Sequence, residues 1–169
     1  FIAEDGGPVR AWFYVIHVME IGGFNIVSFK NVVVTGKIAG EGGRIMSKWC
    51  GNYTDPNEIL ENYSADALRF YLLSSPLLSG KDINFSEDAI RDIQRRILGT
   101  LWNSYSFFVL YAGVDEWKPK KSYEHEVDYR ENLLDRWILS ELNILINKVD
   151  RAMESYNISE ATKPIDGFV

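Results

Sequence analysis

Four consecutive residues, Val32-Val33-Val34-Thr35, are β-branched, and this run constrains the fold more than any other feature. Side chains of this kind are stiff at χ1 and pack well on a pleated surface. From Asn31 to Thr35 the apolar character is continuous rather than alternating, as expected of a parallel strand covered on both faces. A parallel partner requires a crossover, and the upstream sequence supplies one. Phe1-Ile2-Ala3-Glu4 reads as a short buried strand ending in a carboxylate, and Gly6-Gly7-Pro8 forces a turn. Val9 to Ile21 has no breaker and sets Trp12, Ile16 and Met19 on one helical face, with Gly22-Gly23 ending the helix. Strand, helix and strand between Phe1 and Thr35 make a βαβ unit.

Downstream of residue 53 the texture becomes helical. Asp55 is a good N-cap, Pro56 suits the first helical position and Glu58 completes a capping box. Ser64-Ala65-Asp66 opens a second helix through Leu73, interrupted at Ser75-Pro76. Ser86-Glu87-Asp88 caps a long helix from about Ala89 to Tyr111, with Gly113 as its stop. Trp117 to Asp128 is polar and reads as a linker. Leu134, Ile138, Leu142, Leu145 and Val149 recur at helical spacing. Ser159-Glu160 starts a last helix, with Pro164 near its first turns. The expected fold class is α/β followed by all-α.

Composition narrows the function classes. With 46% hydrophobic residues in 169, the chain can build a core. A net charge of −6 argues against a generally basic nucleic-acid binder, though not against a local basic patch. The single cysteine, Cys50, allows no internal disulfide and no cysteine zinc cluster, and a reducing, cytoplasmic setting is expected. No apolar run reaches the roughly 20 residues that span a bilayer. Both ends are apolar and read as cuts through structure, so a piece of a longer protein is expected.

Candidate chemistry gathers in Gly43-Arg44-Ile45-Met46-Ser47-Lys48-Trp49-Cys50-Gly51-Asn52. A cation on a glycine-flanked loop between a strand and a helix suits polyphosphate. Taken alone, Lys48 reads first as a solvated loop lysine. Glu4 either serves a ligand at a strand end or pairs with Arg10, and Trp12 on an apolar helix face is by default a core residue. His17 reads as a core or boundary residue, and His125 sits in the polar loop. The two histidines and one cysteine make no zinc site, and Cys50 has no evident partner base. Arg91, Arg95 and Arg96 follow helical spacing, and Lys118, Lys120 and Lys121 form a second cluster. Each cluster is either a solvated surface or a phosphate contact.

Several blocks occur in one order: Phe1-Ile2-Ala3-Glu4, Arg10-Ala11-Trp12-Phe13-Tyr14, Phe29-Lys30-Asn31-Val32, Met46-Ser47-Lys48, Gly51-Asn52 and Tyr63-Ser64-Ala65-Asp66-Ala67-Leu68-Arg69-Phe70. The ordered set resembles the class I aminoacyl-tRNA synthetases, most closely the isoleucyl enzymes. Trp102-Asn103 and Leu134-Asp135-Arg136-Trp137-Ile138-Leu139-Ser140 resemble that family's helices beyond the catalytic domain. The resemblance implies the C-terminal half of a Rossmann-like catalytic domain (1–53), a stem-contact helical region (54–128) and the first helices of an anticodon-binding-type domain (129–169). It implies ATP with its Mg, isoleucine and tRNA as partners, together with the N-terminal part of the catalytic domain. No metal bound by this chain and no membrane are implied.

Carried over by position, Lys48 is the second lysine of the family's Lys-Met-Ser-Lys-Ser loop, which stabilises charge on the pyrophosphate leaving group. Met46 and Ser47 are its neighbours, Glu4 contacts the adenylate and Trp12 walls the isoleucine pocket. Arg91, Arg95 and Arg96 become candidate tRNA contacts. Departures accompany this. Gly7 and Pro8 stand where the family has the Asp and Gln that hold the adenylate, Ile45 replaces the first lysine and Trp49 the last serine. A non-catalytic, synthetase-like module is therefore the alternative. Asp82-Ile83-Asn84-Phe85-Ser86-Glu87 keeps a valyl or leucyl relative open as well.

Overall fold

The structure, a computed structural model, describes residues 2–7, 9, 11–40, 42–118 and 132–169. Strands β1 (Ile2–Asp5) and β2 (Val32–Thr35) flank helix α1 (Trp12–Phe24). The strands pair in parallel, Ile2 opposite Val32 and Glu4 opposite Val34, which is the expected βαβ unit. Two details differ. Helix α1 runs through Gly22-Gly23 and stops at Asn25, a left-handed cap (φ 54°) whose N–H donates to Ile21 O; asparagine tolerates this conformation better than most residues. Strand β2 is covered unevenly: Val33 is buried, while on the opposite face Val34 is half-buried and Val32 exposed.

The face of α1 is also corrected. Trp12 is 57% exposed and Met19 is exposed, while Phe13 is the buried residue. Phe13 and His17 pack on Phe29 with ring centroids 5.9 and 5.8 Å apart. Spacing had grouped Trp12, Ile16 and Met19, but the sheet lies beneath the neighbouring stripe. His17 is half-buried, in keeping with a boundary residue.

A second parallel pair joins β3 (Ile38–Ala39) to β4 (Ile83–Asn84). It requires close backbone approach at Gly36, where a Cβ would lie 2.1 Å from Lys81 O. Between these strands come α2 (Pro56–Asn62) and α3 (Ala65–Ser74). Their caps form as the sequence indicates: Asp55 Oδ1 accepts from Asn57 N at 2.9 Å, and Ser64 Oγ from Ala67 N at 3.1 Å. The capping box does not close through Glu58; Asp55 instead takes a second bond from Asn57 Nδ2 at 3.0 Å. A short 3-10 turn, Pro76–Ser79, follows the Ser75-Pro76 break.

Ser86 caps a continuous rod made of α4 (Glu87–Ile93), a π turn (Gln94–Leu98) and α5 (Gly99–Val114). The expected long helix is present. It passes through Gly113, and the widened turn at its centre was not foreseen. Gln94 Oε1 accepts from Ser64 N at 3.2 Å, which ties the π turn to the start of α3. The main core lies here: Ile59 from α2, Ala67 and Tyr71 from α3, and Ile90, Ile93 and Ile97 from the rod. The Tyr71 ring meets Phe85 edge-on, and its hydroxyl donates to Asn84 O at 3.0 Å.

Helices α6 (Leu133–Glu154) and α7 (Ile158–Phe168) complete the chain, with Pro164 inside α7. Helix α7 buries Ser159, Ala161 and Thr162. Ser159 Oγ lies 3.3 Å from Ser79 Oγ, and Thr162 Oγ1 reaches Leu73 O at 3.5 Å. Residues 119–128 of the expected linker, and with them Lys120, Lys121, His125 and the boundary at 128, lie outside the described residues, as do Phe1, Pro8 and Arg10.

The chain exposes 13276 Å2, against about 8,500 Å2 for a compact monomer of this mass. Helices contribute to this: α5 and α6 carry no buried residue. Composition and length also correct one expectation. The rod Glu87–Val114 is long and apolar enough to cross a membrane, with a mean hydropathy of 1.2 over 18 residues. Its first half, however, buries Ile90, Ile93 and Ile97 in the core.

Candidate functional site

The Lys48 loop is built by backbone geometry. Strand β3 ends at Ala39, and the chain reverses so that Ile45 bridges back to Ala39. Gly43 N donates to Gly40 O at 3.1 Å and Gly40 N to Arg44 O at 2.8 Å. The reversal uses Gly42 and Gly43 at φ 83° and 74°, a region that glycine enters without a Cβ clash. Met46 N then donates to Ile38 O at 3.2 Å.

Next comes a 3-10 turn, Lys48–Cys50, capped by Ser47, whose Oγ accepts from Trp49 N at 3.2 Å. Lys48 is exposed, with its Nζ 5.6 Å from the centre of the Tyr53 ring. Among the described residues no carboxylate pairs with it. Trp49 is 98% exposed and Ile45 56%. Cys50 is an exposed free thiol.

One residue missed in the sequence organises this loop. Asn52 Oδ1 accepts from Ser47 N at 3.0 Å, and its Nδ2 donates to Arg44 O and Ile45 O at 3.2 Å each. The available signal was Gly51-Asn52 directly after the loop, with Gly51 at φ 64° turning Asn52 back. Met46, Asn52 and Tyr53 form one wall of an open groove of about 660 Å3, and Ser86, Asp88 and Arg91 line the facing wall.

The other candidates lie apart. Glu4 is exposed near the C-terminal end of β1, and Trp12 opens α1. Among the described residues, no hydrogen bond, ion pair or shared cavity links either one to the Lys48 loop. The alternative pairing of Glu4 with Arg10 falls outside the described residues. No group of three His, Cys, Asp or Glu among the described residues can hold a metal ion.

The three arginines lie along the rod, each with a carboxylate. Arg91 donates to Asp88 at 2.7 Å and to the Tyr63 hydroxyl at 3.0 Å. The bond to Tyr63, and then the adjacent charges, hold its guanidinium more firmly protonated than usual. Arg95 meets Asp92 at 3.3 Å. Arg96 contacts Asp92 and also reaches α7 at Asp166. Hydrogen bonds to Asp166 and Asp92 raise its pKa.

Residues 1–86 match the family model described as tRNA synthetases class I (I, L, M and V). The chain belongs to this family. Residues 135–169 of this synthetase chain match a second model, the anticodon-binding domain of tRNA ligase. Over its whole length the synthetase chain is 41% identical to an isoleucine–tRNA ligase of Protochlamydia amoebophila and 44% identical to one of Bdellovibrio bacteriovorus. It spans 16% of the length of each. Among solved structures, its fold matches agnB2 LeuRS of Agrobacterium radiobacter K84, solved as a ternary complex with tRNA and LeuAMS. The TM-score is 0.70 at 22% identity, over 99% of this chain and 22% of that one. The α/β part followed by helices is thus a class I synthetase fold.

Proposed function

We propose that this chain is the part of an isoleucine–tRNA ligase that carries the pyrophosphate-side loop of the catalytic domain, the stem-contact helices and the first anticodon-domain helices. The division at 53 and 128 belongs to this reading. The supporting observation is identity of 35–44% to isoleucine–tRNA ligases across the whole chain. The whole reaction activates isoleucine with ATP, with Mg accompanying the nucleotide, and transfers the aminoacyl group to tRNA in the cytoplasm.

In this reading Lys48 supplies positive charge to the departing pyrophosphate. Its exposure and lack of a carboxylate partner among the described residues support that role. A fixed cation aimed at developing negative charge lowers the barrier without reorganisation. Ser47 shapes the turn by capping it, and Met46 gives its side chain to the groove wall. Glu4 is an exposed carboxylate near a strand's C-terminal end, where α/β folds bind ligands. The Trp12 indole retains free surface for the isoleucine pocket. The arginines are weaker candidates for tRNA phosphate: Asp88, Asp92 and Asp166 offset Arg91, Arg95 and Arg96, and phosphate contact draws on surplus positive charge. The rod Glu87–Val114 is read as a helix facing other parts of a larger synthetase, since its first half is already committed to a protein core.

The test is a chimera in which this chain replaces the matching segment of the Bdellovibrio bacteriovorus ligase. Isoleucine-dependent ATP–pyrophosphate exchange is expected, with loss on Lys48→Ala. A folded chimera without exchange supports the second reading, a module that kept the scaffold and lost the chemistry. That reading is favoured by the exposed apolar Trp49 and Ile45 at positions where the family loop is polar. Ile45→Lys with Trp49→Ser then restores ATP binding by calorimetry if only those positions are at fault.

A further inference from the structure

We infer that Asn52 is a positioning residue for catalysis, fixing the root of the Lys48 loop so that the ammonium is presented without a carboxylate partner among the described residues. The inference rests on the ligase reading for its consequence and on the loop geometry for its substance. A carboxamide offers two N–H donors and one acceptor oxygen. Asn52 uses all three on the loop backbone, at Arg44 O, Ile45 O and Ser47 N. These are the residues leading into Lys48. The turn that carries Lys48 is short, and its own bonds, Cys50 N to Ser47 O at 3.1 Å and Gly51 N to Lys48 O at 3.4 Å, stay within it. Asn52 ties the turn to Arg44 and Ile45, which are joined to the end of β3 by the Ile45–Ala39 bridge, and the Met46 bond to Ile38 adds a second link.

The surroundings are cut to fit this clamp. A Cβ on Gly40 would lie 2.7 Å from Asn52 O and 3.2 Å from Asn52 Nδ2, so glycine there leaves the amide room. Gly51 in the left-handed region turns the chain so that Asn52 faces the loop. The Lys48 ammonium lies 5.6 Å from the centre of the Tyr53 ring. A carboxylate partner would hold the lysine equally well but would neutralise the charge that catalysis needs. Clamping the backbone fixes position and leaves the charge unspent, which is the condition for electrostatic preorganisation.

Asn52→Asp and Asn52→Ala test this. Aspartate has the same shape and keeps the acceptor for Ser47 N, but it turns an oxygen toward the two carbonyls. A residue needed only to fill space tolerates that change; a clamp does not. In the chimera, both variants are expected to lower kcat for pyrophosphate exchange about tenfold or more, from the loss of two or three hydrogen bonds, with the KM for isoleucine nearly unchanged. In the chain itself, trypsin is expected to cut severalfold faster after Arg44 and Lys48 and at the wild-type rate after Arg69 in α3.

Wild-type exchange and cleavage in Asn52→Asp overturn the inference. Equal acceleration at all three sites also overturns it, because Asn52 then serves the fold as a whole. The ligase reading fails separately: if Lys48→Ala leaves exchange intact, Lys48 is not catalytic, while the cleavage pattern still decides whether Asn52 holds the loop.

Discussion

Arg96 and Asp166 form a two-pronged ion pair: Nη1 donates to Oδ1, and Nη2 to Oδ2 at 3.0 Å. The pair joins the π turn of the long rod to α7. Neither side chain is buried, so water and salt screen the attraction. Its effect is local docking more than global stability. Arg96→Ala is expected to speed hydrogen exchange of the α7 amides around Ala161 and Thr162 about two- to fivefold. High salt should do the same to the wild type. Unchanged α7 exchange in the variant would show that the packing of α7 on α3 and α6 holds the helix without the ion pair.

The second prediction concerns Lys48. In the chimera, Lys48→Ala should reduce kcat for exchange about 100-fold or more, the scale of removing one transition-state donor. Lys48→Arg should retain part of the rate, since the charge remains but its shape differs. Equal loss in both variants would point to a packing defect, checked by circular dichroism.

The third concerns alkaline pH. Burial pushes the Tyr71 hydroxyl above the ordinary tyrosine range, and a backbone hydrogen bond at Ser86 offsets part of this. The unfolded chain therefore ionises first, at about pH 10, and the folded chain keeps its proton longer. Stability from this group is full below about pH 10 and is lost as pH rises through the higher folded value. The urea midpoint should fall as pH rises past about 10, less steeply in Tyr71→Phe. At neutral pH that variant should lose about 0.5–1.5 kcal/mol with the bond to Asn84 O. Parallel pH curves for the two proteins would exclude Tyr71 as the source.

The fourth separates core from surface. Ile90 is 0% exposed, and Ile90→Ala should cost about 2–5 kcal/mol. Ile146, exposed on α6, should change stability by only about 0.5 kcal/mol. Urea titrations of both variants compare them directly, and a similar cost at the two positions would contradict the placement of the core.

Local chemistry was readable wherever one residue acts on its near neighbours. Asp55, Ser64 and Ser86 cap helices as their spacing indicated, since each side chain reaches a backbone N–H two or three residues on. The face of α1 was not readable, because 3.6-residue spacing groups side chains without saying which group meets the sheet. Trp12 and Phe13 are adjacent, and only the position of Phe29 decides between them. The role of Asn52 was hidden for a related reason. Its three bonds depend on left-handed glycines at 42, 43 and 51, and these turn angles exist only once the chain has reversed.

The sequence by itself determined the β1–α1–β2 unit, the helices that follow it and the family, because those depend on residue type and spacing, but not the β3–β4 pair. Tertiary structure alone decided that a π turn interrupts the rod, that Arg96 reaches Asp166 and that Lys48 stands without a carboxylate partner among the described residues. These are distances between groups far apart in the chain or across a turn. Packing fixes such distances, and no local preference encodes them.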